Sequence, residues 1–346
     1  SSDLPTGFFN QIQPGNQSSN TNDTFQISAG AMLFPGTLLI FDLHLYNTSG
    51  YNDTIQFVID MGDVTINDPL GPDDYGYSCY DDGDLEYYKS PSYQWVEIDP
   101  VYGGGGTVIP LVDVGNMGDT DLINLPFNFK FYGVDYSNIT VCSNGWIAPG
   151  ECDLDTFMNW SIPSPSGPSP IIAPFWDDLI ITDGNVCYYY NVDLHCFIIE
   201  WSRLLNEYNS DEETFELIIY DQAYYPTSTE DNEILFQYKV VNNSDQGSYG
   251  GGFVNHGQFA TVGIEDQSGT IGLEYTYNNS YPTSAKLLQN EMAILFTLPP
   301  IQYDEPYLVI TNNIVTDSNG NGQIDYGETI DLGLELTNLG INTAHN

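Results

Sequence analysis

The 346-residue chain sets 48 Asp and Glu against five Lys and Arg, a formal net charge of -43. That balance excludes nucleic acid and anionic membrane as partners, since both require a positive surface that releases counterions. At 41% hydrophobic and 14% aromatic residues, the composition is too apolar for disorder and suits β-sheet. Clustered carboxylates on this scale call for calcium as a bridging ion, although such charge also serves solubility alone.

Residues 1–67 open with Ser1-Ser2-Asp3, without Met or an apolar leader, and read as a mature or excised product. After a polar, turn-rich stretch, Leu39, Phe41, Leu43 and Leu45 alternate with Ile40, Asp42, His44 and Tyr46, the period of a strand. A second strand is expected over residues 54–59. Residues 68–100, with Asp73, Asp74, Asp81, Asp82, Asp84 and Glu86 among tyrosines and prolines, read as an acidic linker or lead-in strand.

From 101 to 300, short β segments are separated by Gly, Asn, Asp and Pro, the pattern of a sandwich or jelly roll. Phe127, Phe129 and Phe131 alternate with Asn128 and Lys130, and segments 186–190 and 196–201 flank a turn at Asn191-Val192-Asp193. Further strands are expected near 171–182, 214–220, 233–241, 260–265, 270–277 and 292–298. In residues 301–346, a strand at 307–310 precedes an acidic loop. Ile330, Leu332, Leu334 and Leu336 then alternate with Asp331, Gly333, Glu335 and Thr337. The fold class is all-β. Each end supplies only a few strands with one apolar face, and an isolated hairpin is marginal in water.

The cysteine spacings, Cys142 to Cys152 and Cys187 to Cys196, predict two disulfides with Cys79 left over, and hence an oxidising, extracellular address. No CxxC or HxxxH spacing supports zinc. No run of about 18 apolar residues predicts a membrane span.

Residues 317–328 match a twelve-residue calcium loop in register. Asp317, Asn319 and Asn321 supply side-chain oxygens, Gln323 its carbonyl, Asp325 a water-mediated contact and Glu328 two oxygens, while Gly322 permits the turn. Flanking strands make this loop structural rather than a helix-opening switch. The glycine run 103–106 has no following Lys-Ser/Thr and reads as a flexible turn. Asp177-Asp178 reads as a strand-end turn, because adjacent strand residues face opposite ways. His195 and Cys196 are sequence neighbours on a strand and cannot share a proton. No enzyme is expected. Asn-x-Ser/Thr sequons include Asn138 and Asn159, and Asp53-Thr54-Ile55 has the form of an O-glycan acceptor at Thr54.

Leu125 to Gly133, Ile139 to Trp146 and Ile172 to Asp178 resemble a β-sandwich module of large secreted bacterial proteins, including gingipain-like peptidases. They are similar also to nidogen-type extracellular modules. The peptidase catalytic domain has no counterpart here. Residues 317–339 resemble the start of the CARDB-like immunoglobulin-like domain that accompanies that sandwich, and Ser1-Ser2-Asp3-Leu4 resembles its continuation. The resemblance implies an immunoglobulin-like sandwich split between segments 301–346 and 1–67. The halves meet within one chain, along a tandem-repeat polypeptide, or between copies by strand addition. The last contact is heterologous and propagates a filament. The expected function is a calcium-stabilised structural subunit of an extracellular fibre or surface array, its partner being itself. The alternative is a monomeric adhesin or carbohydrate-binding module that stacks glycans on Trp146 or Trp160.

Overall fold

The structure is a computed structural model that describes residues 2–4, 6–27, 33–113, 118–244, 257–299, 308–316 and 331–338. It comprises two compact units, Ser1–Asp68 and Pro69–Asn346. The chain is all-β, as expected from its alternating segments.

In the first unit, β1 (Ser2–Leu4) pairs with β2 (Gln26–Ile27), and β3 (Thr37–Tyr46) forms an antiparallel hairpin with β4 (Asn52–Met61). The hairpin keeps one unbroken register, from Thr37 opposite Met61 to Tyr46 opposite Asn52. Its turn is held by the Asn47 side-chain oxygen, which accepts from the Ser49 and Tyr51 amides. The period-two pattern puts Leu39, Phe41 and Leu43 opposite Ile59, Phe57 and Ile55 on one face, with the Phe41 and Phe57 rings stacked at 5.5 Å.

The second unit contains β5 (Ser78–Asp81), β6 (Thr107–Val108), β7 (Thr120–Phe131), β8 (Val134–Cys142), β9 (Trp146–Pro149), β10 (Ile171–Trp176), β11 (Leu179–Ile180) and β12 (Asn185–Asn191). It continues with β13 (Cys196–Asn206), β14 (Glu212–Tyr220), β15 (Ile234–Val240), β16 (Thr261–Glu265), β17 (Gly272–Thr276), β18 (Met292–Thr297), β19 (Leu308–Thr316) and β20 (Asp331–Asn338). A six-stranded antiparallel sheet runs β17-β16-β10-β9-β8-β7. An eight-stranded sheet runs β5-β18-β15-β14-β13-β12-β6, with β11 on β13. β19 and β20 form a separate antiparallel pair.

The two large sheets stack face to face. Phe129, Phe131, Ile139, Val141, Ile172 and Phe175 from one enclose a core with Phe197, Trp201, Phe215, Leu217, Phe236 and Ile294 from the other. The Phe175 and Phe215 rings lie 5.5 Å apart across this core. Polar ties cross it as well: Trp201 Nε1 donates to the Cys142 carbonyl at 2.8 Å, and the Tyr238 hydroxyl to the Pro174 carbonyl at 2.7 Å. Each such side chain contributes roughly 1.5–3 kcal/mol by burial, so this inter-sheet core holds the two sheets together.

Residues 69–100 are built into this sandwich. β5 pairs with β18, and Tyr77, Cys79, Tyr80 and Ile98 are buried, so the segment read as linker or lead-in strand is structural. The glycine run is a packing device rather than a flexible turn. Asp99 caps the 3-10 turn Pro100–Tyr102 through the Val101 amide, and the chain then doubles back on Ile98. A Cβ on Gly104 would sit 2.1 Å from the Ile98 carbonyl carbon, and one on Gly106 2.5 Å from its oxygen.

Candidate functional site

The three motif stretches converge on two polar knots inside the sandwich. At the first, the Asp73 Oδ1 accepts from the amides of Tyr75, Gly76 and Tyr77, and its Oδ2 accepts from the Tyr132 hydroxyl at 2.6 Å. Asp231 accepts from the Tyr75 hydroxyl and the Gly133 amide, both at 2.8 Å. Tyr132 and Gly133 therefore anchor the loop before β5.

The second knot joins Ser143-Asn144-Gly145-Trp146 to Phe175-Trp176-Asp177-Asp178. The Asn144 amide group donates to the Asp155 carbonyl and its oxygen accepts from the Leu179 amide. Both Trp146 and Trp176 donate through Nε1 to the Thr156 carbonyl. Gly145 (φ 75) leaves no room for a side chain, since its Cβ would lie 1.8 Å from the Phe175 carbonyl oxygen. Asp177 and Asp178 are buried at the strand end, where the Asp178 amide donates to Asp177 Oδ1. These motifs hold the fold. Trp146 is fully buried, which removes it as a glycan-stacking platform, and Trp160 is half-buried against the same cluster.

On the outer face of the eight-stranded sheet lies a constellation not foreseen from the sequence. The register aligns Cys187, Glu200, Glu216, Gln237 and Ala293 in one row across β12, β13, β14, β15 and β18. Residues 93–99 cross this row as a strap whose backbone bonds the side chains beneath it. The amides of Ile98 and Asp99 donate to Glu200 Oε2 at 2.9 and 3.2 Å, and the Val96 amide to Glu216 Oε1 at 3.3 Å. Gln237 accepts from the Gln94 amide and donates to the Gln94 carbonyl and to Glu216 Oε1.

Glu200 and Glu216 are wholly buried, and Glu200 Oε1 and Glu216 Oε2 have no donor. Burial pushes the Glu200 carboxyl up to about 7 and holds Glu216 well above the ordinary carboxylate range. The nearby Glu97 charge acts in the same direction on Glu200. Burial opposes ionisation of Glu97 too, yet the hydrogen bond and charge of Lys239 keep it below its ordinary value.

A bulge in β13, with Arg203 at φ 55, turns that residue toward the same place. Its guanidinium lies 3.6 Å from Glu97 Oε2 and 3.2 Å from the centre of the Tyr102 ring, while Lys239 Nζ lies 2.7 Å from Glu97 Oε2. The other basic residues are committed likewise: Lys89 to Glu233, Lys130 to Glu230 and Lys286 to Asp82. All five cations of the chain therefore sit against carboxylates of the sandwich.

The predicted site residues fare unevenly. Asp317, Asn319, Asn321, Gln323, Asp325 and Glu328 lie outside the described residues. Among the described residues, no cluster of three or more His, Cys, Asp or Glu is placed to hold a metal ion. The five cysteines are thiols.

Cys187 lies opposite Glu200 while Cys196 lies opposite Asn191, four positions along the strand. At about 3.4 Å per residue that offset exceeds the 4.4–6.8 Å Cα separation of a disulfide, so the expected pair is not formed. Both instead line an outer-face cluster with Ile98, Ile198, Ile218 and Leu235, and burial pushes both thiols up to about 12. Cys142 and Cys152 touch the Trp146–Trp176 cluster and are likewise unlinked: the Cys142 sulfur accepts from the Asn144 amide and lies 3.7 Å from the Asp155 carbonyl.

Asn159 is buried and donates to the Phe259 carbonyl and Thr261 Oγ1, which closes it to glycosylation in the folded chain. Asn138 is half-buried on β8. Thr54 is exposed on β4, with its hydroxyl 2.9 Å from His44 Nδ1.

Two apolar faces are uncovered. On the first unit, Ile55, Phe57 and Ile59 are exposed, although each stands opposite a large apolar residue. On β20, Leu332, Leu334 and Leu336 share one face and are each more than half exposed. Each face belongs to a two-stranded sheet among the described residues.

A family model described as NIDO related matches residues 91–299, more than half of the chain. The chain belongs to the NIDO-related family. The family segment of this NIDO-related protein starts at the strap, takes in the second motif knot and the Tyr132, Gly133 and Asp231 side of the first, and ends just after β18. No curated protein matches the chain, and no solved structure matches it. Among the described residues, no helix is long and apolar enough to cross a membrane.

Proposed function

We propose that this NIDO-related protein is a structural subunit of an extracellular fibre or surface array, in which the NIDO-related sandwich is the spacer and the two hairpins are the joints. The observation that carries the reading is the pair of uncovered apolar faces, Ile55-Phe57-Ile59 on β4 and Leu332-Leu334-Leu336 on β20. A two-stranded sheet with such a face gains stability only when further strands cover it. The β19–β20 hairpin of one copy completes the β3–β4 hairpin of the next, giving an immunoglobulin-like sandwich at each junction. Calcium in loop 317–328, between β19 and β20, bridges the acidic surfaces that would otherwise repel. The motif residues support a scaffold role because they are spent on internal hydrogen bonds.

The test uses two single substitutions in the full chain, Phe57→Asp on one joint and Leu334→Asp on the other, measured by size exclusion with light scattering in calcium. Head-to-tail joining predicts that each variant alone is monomeric and that an equimolar mixture gives dimers and nothing larger. Monomers in the mixture, together with monomeric parent protein, would replace this reading with that of a monomeric adhesin.

A further inference from the structure

We propose that the 93–99 strap and the Glu200-Glu216-Gln237 row form a proton-operated clasp: closed while the row is neutral, released when it ionises, and uncovering an apolar sheet face with two thiols when it opens. The inference does not depend on the fibre reading.

The geometry supports each part. The strap pairs with no strand edge and lies across the sheet, and its backbone is tied to the side chains of Glu200, Glu216 and Gln237 beneath it, with Glu97 bridged to Lys239 and Arg203. Beneath it lie Cys187, Cys196, Ile198, Ile218, Leu235 and Leu295, covered from above by Tyr93, Val96 and Ile98. Two wholly buried carboxyls stand side by side in this layer, each with one oxygen lacking any donor. An ionised carboxylate in that position is desolvated and unpaired, which is strongly unfavourable. A protonated one satisfies the orphan oxygen's site by carrying the hydrogen itself.

The charged and titratable groups facing the row are identifiable on every element against it. The strap brings Tyr93, Glu97 and Asp99, β12 brings Tyr189, β13 brings Arg203, β14 brings Tyr220, β15 brings Lys239, and β12 and β13 bring the two thiols. Both cations are drawn to Glu97, which is only partly exposed, and neither is bonded to the two buried carboxyls.

The sign follows. A carboxyl held protonated in the closed state contributes to closure below its ordinary range, and the contribution is lost as pH rises through its value in the closed state. Closed-state Glu200 is half-ionised at about 7 against an ordinary value of 4.5, so opening grows between pH 4.5 and 7 and levels off beyond.

The test is hydrogen exchange of the full chain at pH 5, 6, 7 and 8, each rate divided by the intrinsic rate at that pH. It is paired with pulsed maleimide labelling normalised to the denatured protein. The expected result is a loss of protection over residues 93–99 of roughly 40-fold between pH 5 and 7, approaching tenfold per unit mid-range for one proton. Cys187 and Cys196 become labelled in step, while Cys79 and Cys142 and a core peptide over 139–149 stay protected. Glu200→Gln, which keeps an acceptor oxygen for Ile98 and Asp99 but cannot ionise, flattens the dependence. Equal protection of the strap at pH 5 and 7, a strap that opens only together with the core peptide, or an unchanged profile in Glu200→Gln would each overturn the clasp.

Discussion

Replacing Gly145 by Ala tests whether the Ser143-Asn144-Gly145-Trp146 turn holds the sandwich through a steric requirement. Gly145 has φ 75, and an added Cβ would lie 1.8 Å from the Phe175 carbonyl oxygen and 2.8 Å from its carbon. The left-handed backbone alone costs an L-residue roughly 1–2 kcal/mol. Pushing Phe175 away adds an overpacking cost of about 1–3 kcal/mol, and the Phe175 amide bond to the Gly145 carbonyl adds about 1 more if it is lost. The sum is roughly 3–6 kcal/mol, a large part of an ordinary domain's stability. Gly103 is the natural control, with φ 95 and nothing within 4 Å of its Cβ, so Gly103→Ala carries the backbone cost alone. Urea unfolding followed by tryptophan fluorescence suits the comparison, because Trp95, Trp146, Trp160, Trp176 and Trp201 all lie in the NIDO-related segment. If Gly145→Ala loses no more stability than Gly103→Ala, the steric argument fails.

Three further outcomes follow from the same geometry. The shift of Glu200 to about 7 makes its protonated form worth about 3 kcal/mol at low pH. That stability is present below pH 4.5 and lost by pH 7, so Glu200→Gln should raise the urea midpoint at pH 8 and leave it little changed at pH 4. Non-reducing peptide mapping should find no bond between Cys187 and Cys196, whose register keeps them apart; recovery of that cross-link would show the β12–β13 register to be wrong. Calorimetric titration should find one calcium site that Asp317→Ala and Glu328→Gln each weaken at least tenfold, and equal affinity in both variants would remove the loop as the ligand set.

Much of the fold is legible from alternation. Leu39 to Leu45 announce β3, and the turn at Asn191 sits where β12 passes to β13, because period-two burial and turn residues are local signals. The same locality explains the failures. Glu216 stands between Phe215 and Leu217 as any surface-facing acid would, and nothing nearby in sequence says that residues 93–99 return to cover it. Cys187 and Cys196 look paired by spacing, yet the tight turn sets them four positions out of step. Asn159 forms a proper sequon and is buried by a loop a hundred residues away. Long-range coverage, rather than strand formation, is what single-sequence patterns omit.

The most direct test of the proposed fibre subunit is electron microscopy of the full chain in calcium and after chelation. Filaments of alternating sandwich and immunoglobulin-like domains that loosen when calcium is removed are the predicted result. Dispersed single particles in both conditions would contradict it.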